Sequence, residues 1–404
     1  MARDMCHGCA MNETMALPTE RPAGCPFDPP AELRERPALS RLTYPDGHVG
    51  WLGTTRDVAR AVLADPRFSI RYELQHLPMP NNAGGGPLPA AEPGDFTGMD
   101  APQHTRYRRL LVGQFTVRRM RQLTERLEQV TAEHLDEMAR IGWPADLVTA
   151  FAQPVPTMMI CELLGVPYDE REQFQHNAII ITSTSAPESG EEFINAFTEL
   201  HTYLGGLIAA KRAHPTDDLL SGLTESDLTD EELAMIGVLL LGAGVETTAS
   251  MISLGTWTLL NNPDQLAALR ADPSRTDAAV EELLRYLSIV PMTMRTALED
   301  VEVAGTLISK GETVTLSLHQ ANRDPAYYPN PDTVDITREA ATQVAFSHGI
   351  HQCLGQQLAR VELRVALPAL LNRFPKLRLA IPSDEVQLRG NATMPGVKSL
   401  PVAW

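Results

Sequence analysis

Residues 346–355 read FSHGIHQCLG. Cys353 lies two residues after His351 and between Gly349 and Gly355, and the nearest other cysteine is Cys161. Three chemistries fit a solitary thiol in this setting. Zinc asks for three or four ligands, and His348, His351 and Cys353 make an irregular set for it. A cysteine nucleophile asks for a neighbouring base, and His351 is within sequence reach. A haem iron asks for a single axial thiolate, a tight glycine-permitted turn and donors that keep the sulfur anionic. The next residues, LGQQLARVELRVALPALL, have the pattern of an amphipathic helix. The N-terminus of a helix stabilises a thiolate through its dipole and free N–H groups. The residues of the loop alone leave all three chemistries open.

Three further groups carry charge where the pattern around them is apolar. Thr229 to Glu232 forms a capping box ahead of the longest helical pattern, which runs to Asn261, Asn262 and Pro263. At 1.5 Å per residue such a helix is roughly 50 Å long and crosses a domain core. Ala243-Gly244-Val245-Glu246-Thr247-Thr248 interrupts it with a glycine, an acid and two hydroxyls. Either Glu246 is exposed and the threonines pack as small residues, or the helix carries a local bulge and a polar notch facing a cavity. Glu282 and Arg285, at i,i+3 in AVEELLRYL, share a helix face. They form a surface pair or, given their apolar flanks, a buried structural one. His104 and Arg108, at i,i+4, also share a face. With Arg106, Arg109, Arg118, Arg119 and Arg121 nearby, they read as a solvated basic face or as a clamp for an anionic group.

The elements that must position these residues are mostly helical. Helical periodicity covers 117–139, 156–165, 191–213, 229–262, 276–288 and 355–374. Strand-like text occurs at 39–54, with Asp46-Gly47 as a hairpin turn, at 300–319 and near the C-terminus. The expected fold is therefore mainly α with a smaller β part fed from both ends of the chain. Residues 78–98, rich in Pro and Gly, predict a long loop acting as a lid, and 183–191 a second connector. The chain has 404 residues, 43% hydrophobic and 21% charged, with net charge −17. That charge argues against nucleic acid and anionic membranes as partners. The apolar run 233–245 stops at Glu246, short of the length of a membrane span. No targeting segment is recognised, and a cytoplasmic protein is expected. Cys6, His7, Cys9 and Cys25 offer zinc-like spacing, but their Pro-rich surroundings favour a variable leader.

Phe346-x-x-Gly349-x-His351-x-Cys353-x-Gly355 resembles the haem-binding loop of the cytochrome P450 family. Glu282-x-x-Arg285 resembles that family's ExxR motif, and Ala243-Gly244-x-Glu246-Thr247-Thr248 its oxygen-activation motif. The order and spacing of the three agree, and the resemblance runs from about Met15, with CPFDPP at 25–30 similar to soluble bacterial members that tailor natural products. It implies a 1–14 extension and a single prism-shaped domain over 15–404, with haem b between the Cys loop and the long helix. Carried over by position, Cys353 is the axial ligand and Phe346 shields the sulfur. Gly349 and Gly355 permit the turn, and Ala243 lies against the haem. His104, Arg108, Arg295 and His351 bind the propionates. Glu246 and Thr247 serve proton delivery to dioxygen, and Glu282 with Arg285 is structural. Leu240, Gly244, Val290, Met292 and Met394 contact substrate.

The implied activity is a monooxygenase acting on a bulky lipophilic molecule of secondary metabolism, a polyketide or macrolide, terpenoid or steroid-like compound. The implied partners are O2, a ferredoxin and its NAD(P)H-fed reductase, with the Arg109 region as the docking surface. Two positions depart from the family's pattern. Relatives carry His where Val245 stands and Arg where Thr333 stands, which leaves Arg323 or Arg338 as third partner of the Glu282–Arg285 pair. The rival activities are a peroxygenase or phenol-coupling enzyme and a haem sensor without turnover. A zinc or cysteine hydrolase would be colourless.

Overall fold

A computed structural model describes residues 14–20, 27–79, 87–182, 190–389 and 394–404. Among the described residues twelve α-helices run as α1 (Arg56–Ala64), α2 (Gln103–Val112), α3 (Val117–Ile141), α4 (Pro154–Leu164), α5 (Arg171–Thr182), α6 (Gly190–Ala213), α7 (Leu219–Thr224), α8 (Asp230–Asn261), α9 (Pro263–Ala271), α10 (Thr276–Leu287), α11 (Leu318–Ala321) and α12 (Gln356–Arg373). The fold is mainly α with a smaller β part, as the periodicity predicts.

Helix α8 is the axis. Its capping box forms as expected: Thr229 Oγ accepts from the Glu232 amide at 3.2 Å, and the Glu232 carboxylate accepts from the Thr229 amide at 2.8 Å. Asn262 ends it and Pro263 opens α9. Between these stops the helix is unbroken, so of the two alternatives at 243–248 the local bulge is absent, while Glu246 is buried rather than exposed. Gly244 instead lets α4 approach. A Cβ there would lie 2.5 Å from Ile160 Cδ1. Helix α8 is the one described helix long and apolar enough to cross a membrane. Its apolar surface is covered by α4, α5, α6, α10 and α12, and packing on nearly all sides explains why the sequence is apolar all round.

The β part is assembled from both ends of the chain. Strands β1 (Leu39–Thr43), β2 (Val49–Gly53), β3 (Phe68–Ser69), β5 (Met292–Ala297) and β8 (Thr313–Ser317) form one sheet in the order β1-β2-β8-β5-β3. β2 pairs parallel with β8, Trp51 opposite Val314, and β5 pairs antiparallel with β8, Arg295 opposite Val314. Two smaller sheets join β4 (Ala145–Asp146) to β10 (Pro401–Ala403) and β9 (Arg378–Leu379), and β6 (Val301–Val303) to β7 (Thr306–Ile308). Helix α1 packs its buried Val58, Ala59 and Val62 onto the main sheet. The larger core lies among the helices around Leu127, Phe151, Ile252, Leu283 and Leu367.

Of the expected lid, 78–79 and 87–98 are described. It contains a 3-10 turn at Phe96–Gly98 and is tied down rather than free. The Gly94 amide donates to the Tyr107 hydroxyl at 3.1 Å, and Tyr72 bonds Thr97 at 2.7 Å. Residues 80–86, 183–189 and the Cys6–Cys25 group lie outside the described residues.

Candidate active site

The Cys loop closes through backbone bonds. The Cys353 amide donates to the Phe346 carbonyl at 2.9 Å and the Gln352 amide to the Gly349 carbonyl at 3.0 Å. Two residues here sit in the left-handed region, Ser347 at φ 62° and Gly349 at φ 75°. For Gly349 the requirement is double, because a Cβ would also lie 2.3 Å from the Leu63 carbonyl oxygen of α1. Gly355 differs from expectation. Its φ is −81° and no protein atom lies within 4 Å of the position of a Cβ, so the turn does not need glycine there.

Cys353 is accessible yet surrounded by protein. Burial pushes its thiol up, and the Gly355 amide, Arg108, Arg360 and the Gln356 amide pull it back toward thiolate. These are the amides at the start of α12, where the sequence places a helix N-terminus. Phe346 lies beneath the Arg360 guanidinium, 4.6 Å from its ring centre, and Arg360 is held by Glu281 at 2.5 and 3.2 Å. Arg360 was not singled out from sequence. Its signal was its place one turn into the helix that follows the cysteine.

Beside this loop four donors converge from three elements. The rings of His104 (α2) and His351 are 4.0 Å apart. Arg108, one turn on from His104, donates to the Gln352 carbonyl at 2.6 Å. Arg295, nearly fully buried in β5, donates to Thr293 and to the Met294 carbonyl. Burial and then the positive fields of His104, Arg295 and Arg108 push His351 down to about 3. Burial and Arg108 lower His104, and burial lowers Arg295 to about 10. The carboxylate that acts on this group, Asp100, is already engaged by Ser69 Oγ at 2.6 Å and the Ile70 amide at 3.0 Å. A set of donors depressed by burial first and, at the two histidines, by neighbouring positive charge asks for an external anion. A cavity of about 530 Å³ opens beside Arg295, His351, Asp100, Phe68 and Leu298. One thiolate and an adjoining anion clamp fit the iron and the two propionates of haem.

The middle of α8 shows two faces. Gly242 and Ala243 are exposed on it, whereas Leu241, Val245 and Glu246 are buried. Thr247 is part-exposed and donates to the Ala243 carbonyl at 2.7 Å. Glu246, 4% exposed, faces the other way. It is ion-paired with Arg389 and accepts from Ser250 Oγ at 3.3 Å. Arg389 also donates to Ser250 Oγ at 3.0 Å and to the Val397 carbonyl at 3.3 Å. Sequence reading missed Arg389, which has no local signal linking it to a helix so distant in the chain.

The expected substrate residues lie on separate elements. Leu240, Met292 and Met394 are half-buried on α8, β5 and the 387–398 hairpin, and Val290 is exposed ahead of β5. Gly244 is half-buried on α8, and an added Cβ would point at Ile160 of α4.

Glu282 and Arg285 are fully buried and bidentate, both contacts at 2.7 Å. Arg285 also donates to the carbonyls of Asn322 and Pro331 at 2.9 Å and of Thr333 at 3.3 Å. Glu282 accepts from the Asp335 amide at 2.9 Å and from Arg338 at 3.3 Å. Arg338 is thus the third partner, and Thr333 contributes its backbone. Arg323 pairs instead with Asp28 and Asp332, both at 2.9 Å. The pair therefore anchors the segment leading into the Cys loop.

The basic face of the sequence is largely neutralised. Arg106 pairs with Glu232 and Asp227, Arg118 and Arg119 with Asp217, and Arg121 with Glu125. Among the described residues of that stretch, Arg109 is exposed with no ion-pair partner.

A family model for Cytochrome P450 matches residues 91–387. The chain is 51% identical over 384 residues to Cytochrome P450 105C1 of a Streptomyces species, covering 94% of this chain and 96% of that one. It is 42% identical to pentalenic acid synthase of Streptomyces avermitilis, covering 98% and 99%. Among solved structures, cytochrome P450 MoxA of Nonomuraea recticatena aligns at TM-score 0.89 and 41% identity, covering 96% and 98%. Similarity of this extent along almost the whole chain, joined to a thiolate loop beside an anion clamp, makes the chain a member of the cytochrome P450 family, a haem-thiolate monooxygenase.

Proposed function

We propose that this enzyme hydroxylates or epoxidises a bulky lipophilic secondary metabolite, of polyketide or macrolide, terpenoid or steroid-like type, using O2 and electrons from a ferredoxin and its NAD(P)H-fed reductase in the cytoplasm. The observation that carries the monooxygenase reading is the juxtaposition of Cys353 with the His104, Arg108, Arg295 and His351 clamp. The substrate class rests on relatives. One is named pentalenic acid synthase and another vitamin D3 dihydroxylase, and the solved LnmA hydroxylase belongs to a leinamycin biosynthetic pathway.

In this reading haem, held by Cys353, supplies the oxygen-insertion chemistry. The chain supplies binding and protons. His104, Arg108, Arg295 and His351 hold the two propionates. The Thr247 hydroxyl, on the accessible face of α8, gives its hydrogen to the Ala243 carbonyl and offers its oxygen to a hydrogen bond from a water beside dioxygen. Glu246 relays protons from solvent. Half-buried Leu240, Met292 and Met394, with Ala243, give substrate an apolar surface. Arg109 contributes charge for a ferredoxin.

The reduced protein with carbon monoxide is expected to show the strongly red-shifted thiolate band, and a spectrum without it would defeat the reading. Titration with lipophilic compounds, followed by shifts of the haem spectrum, then identifies the substrate class. Thr247→Ala is expected to keep electron consumption while lowering product per electron several-fold. Unchanged product yield per electron would remove Thr247 from proton delivery.

A further inference from the structure

We propose that the stacked His48–His76 pair is a proton-operated latch that fastens the start of the 78–98 loop to the main sheet. The two rings lie face to face, with centres 3.6 Å and planes 3° apart. His48 stands directly before β2, and His76 two residues ahead of the loop. Asp46, in the β1–β2 turn, joins them. One carboxylate oxygen bonds His76 Nδ1 at 2.6 Å, and the other accepts from the His48 amide at 3.0 Å. The Thr313 amide of β8 donates to His48 Nε2 at 3.2 Å, so that nitrogen presents a lone pair and the ring is neutral. Gly50 leaves the space for this contact, since a Cβ there would lie 2.2 Å from the Thr313 carbonyl oxygen and 3.2 Å from His48 Nε2.

The latch holds one end of a cavity wall. Ala90, Ala91, Gly98 and Met99 line the cavity that opens beside Arg295 and His351. The far end of that wall is fixed by Tyr72 to Thr97 at 2.7 Å and by the Gly94 amide to Tyr107 at 3.1 Å, both through phenols that burial keeps neutral. Ahead of His76, the Thr296 hydroxyl of β5 donates to the Leu74 carbonyl at 2.9 Å. Of these ties, the histidine pair is the one that a proton breaks near neutral pH. A proton on His48 Nε2 sets donor against donor at Thr313 and places a positive charge flat against the His76 ring. The groups that face His48 are His76, Asp46, Tyr44 and Glu312. Glu312 is already engaged by Arg41 at 2.6 Å and by the Trp51 indole at 2.8 Å. Burial first, then the field of His76, lowers His48 in spite of the two carboxylates. Below about pH 6.5 the unfolded chain therefore takes up this proton before the folded protein does. The stability contributed by the stack is present above that pH and lost as pH falls through the lowered value.

The test compares wild-type holoenzyme with H48Q and H76Q. Glutamine at position 48 still offers an acceptor to Thr313 but takes up no proton. H76Q removes the stack at every pH. Hydrogen exchange of residues 72–79 is followed between about pH 7.5 and 5.5, corrected for the chemical exchange rate and referred to α12. Clotrimazole, a lipophilic imidazole whose binding shifts the haem spectrum, is the cavity probe, and its association rate is measured over the same range. The ratio of wild type to H48Q cancels the probe's own titration. Thermal midpoints identify any variant that fails to fold.

In wild type, exchange of 72–79 is expected to rise about five-fold or more as pH falls, and to change less than about two-fold in H48Q. H76Q is expected to exchange fast at both ends of the range. The wild-type to H48Q ratio of clotrimazole association rates is expected to rise as pH falls. Wild-type exchange that does not depend on pH, equal pH dependence in H48Q, or a clotrimazole ratio that stays constant would each overturn the proposal. Should H48Q fail to fold, wild type is compared with H76Q, and pH dependence of the same size in H76Q overturns it.

Discussion

Arg285→Ala is expected to destabilise the protein by about 3–5 kcal/mol, the usual cost of removing one partner of a buried ion pair. The carboxylate of Glu282 would keep Arg338 at 3.3 Å and the Asp335 amide at 2.9 Å, but lose its bidentate partner. Three backbone carbonyls, of Asn322, Pro331 and Thr333, would lose their donor in the same step. Domains commonly hold only about 5–15 kcal/mol in total, so the variant is expected to unfold at a much lower urea concentration and to retain little haem. Lysine is not expected to rescue it, because an ammonium cannot present the planar fork that serves Glu282 and three carbonyls together. Arg338→Ala, which removes one contact to Glu282 at 3.3 Å and two exposed ones to the carbonyls of Pro329 and Asn330, is expected to cost less, about 1–2 kcal/mol. A urea midpoint for Arg285→Ala equal to that of the Arg338 variant would defeat this account of the pair.

Gly349→Ala is expected to remove the thiolate signature while leaving most helical content in place. The left-handed conformation costs a side-chain-bearing residue about 1–2 kcal/mol. The larger problem is steric, since the new Cβ would meet the Leu63 carbonyl, a backbone atom that cannot rotate away. Relief requires the loop to shift away from α1, and Cys353, four residues on, would shift with it. Circular dichroism and the carbon monoxide difference spectrum together separate the two effects. Gly355→Ala is the control. It meets no protein atom, so the thermal midpoint of the polypeptide should be unchanged. A Gly349→Ala protein with a wild-type carbon monoxide spectrum would show that the loop has more freedom than its geometry implies.

Local chemistry was legible in the sequence. The capping box at Thr229–Glu232 and the Glu282–Arg285 spacing are i,i+3 relations, fixed by helix geometry alone. The Cys loop was legible because turn, thiol and helix start are consecutive. What stayed hidden depends on elements far apart in the chain. Arg389 reaches α8 from the C-terminal hairpin, and Arg338 rather than Arg323 meets Glu282. The basic stretch around Arg106 looked like an open cationic face because the neutralising Asp217, Asp227 and Glu232 come about a hundred residues later. Gly244 shows the limit of reading a motif by position. The sequence marks it as special, but only the packing of Ile160 shows which neighbour needs the space.

The parallel pairing of β2 with β8 has a consequence for synthesis. Trp51 meets Val314, so roughly 260 residues must follow before the N-terminal hairpin finds its place in the sheet. At about 5–20 residues per second that is a wait of roughly 13–50 s, during which the free edge of β2 and the apolar side chain of Trp51 lack their final cover. Helices α4, α5, α6 and α10, which pack on α8, all precede β8 in the chain and can assemble with it earlier. The nascent chain therefore passes through a stage with a helical body and an unpaired N-terminal ribbon, and in that stage it is most dependent on chaperones and most exposed to edge-to-edge aggregation.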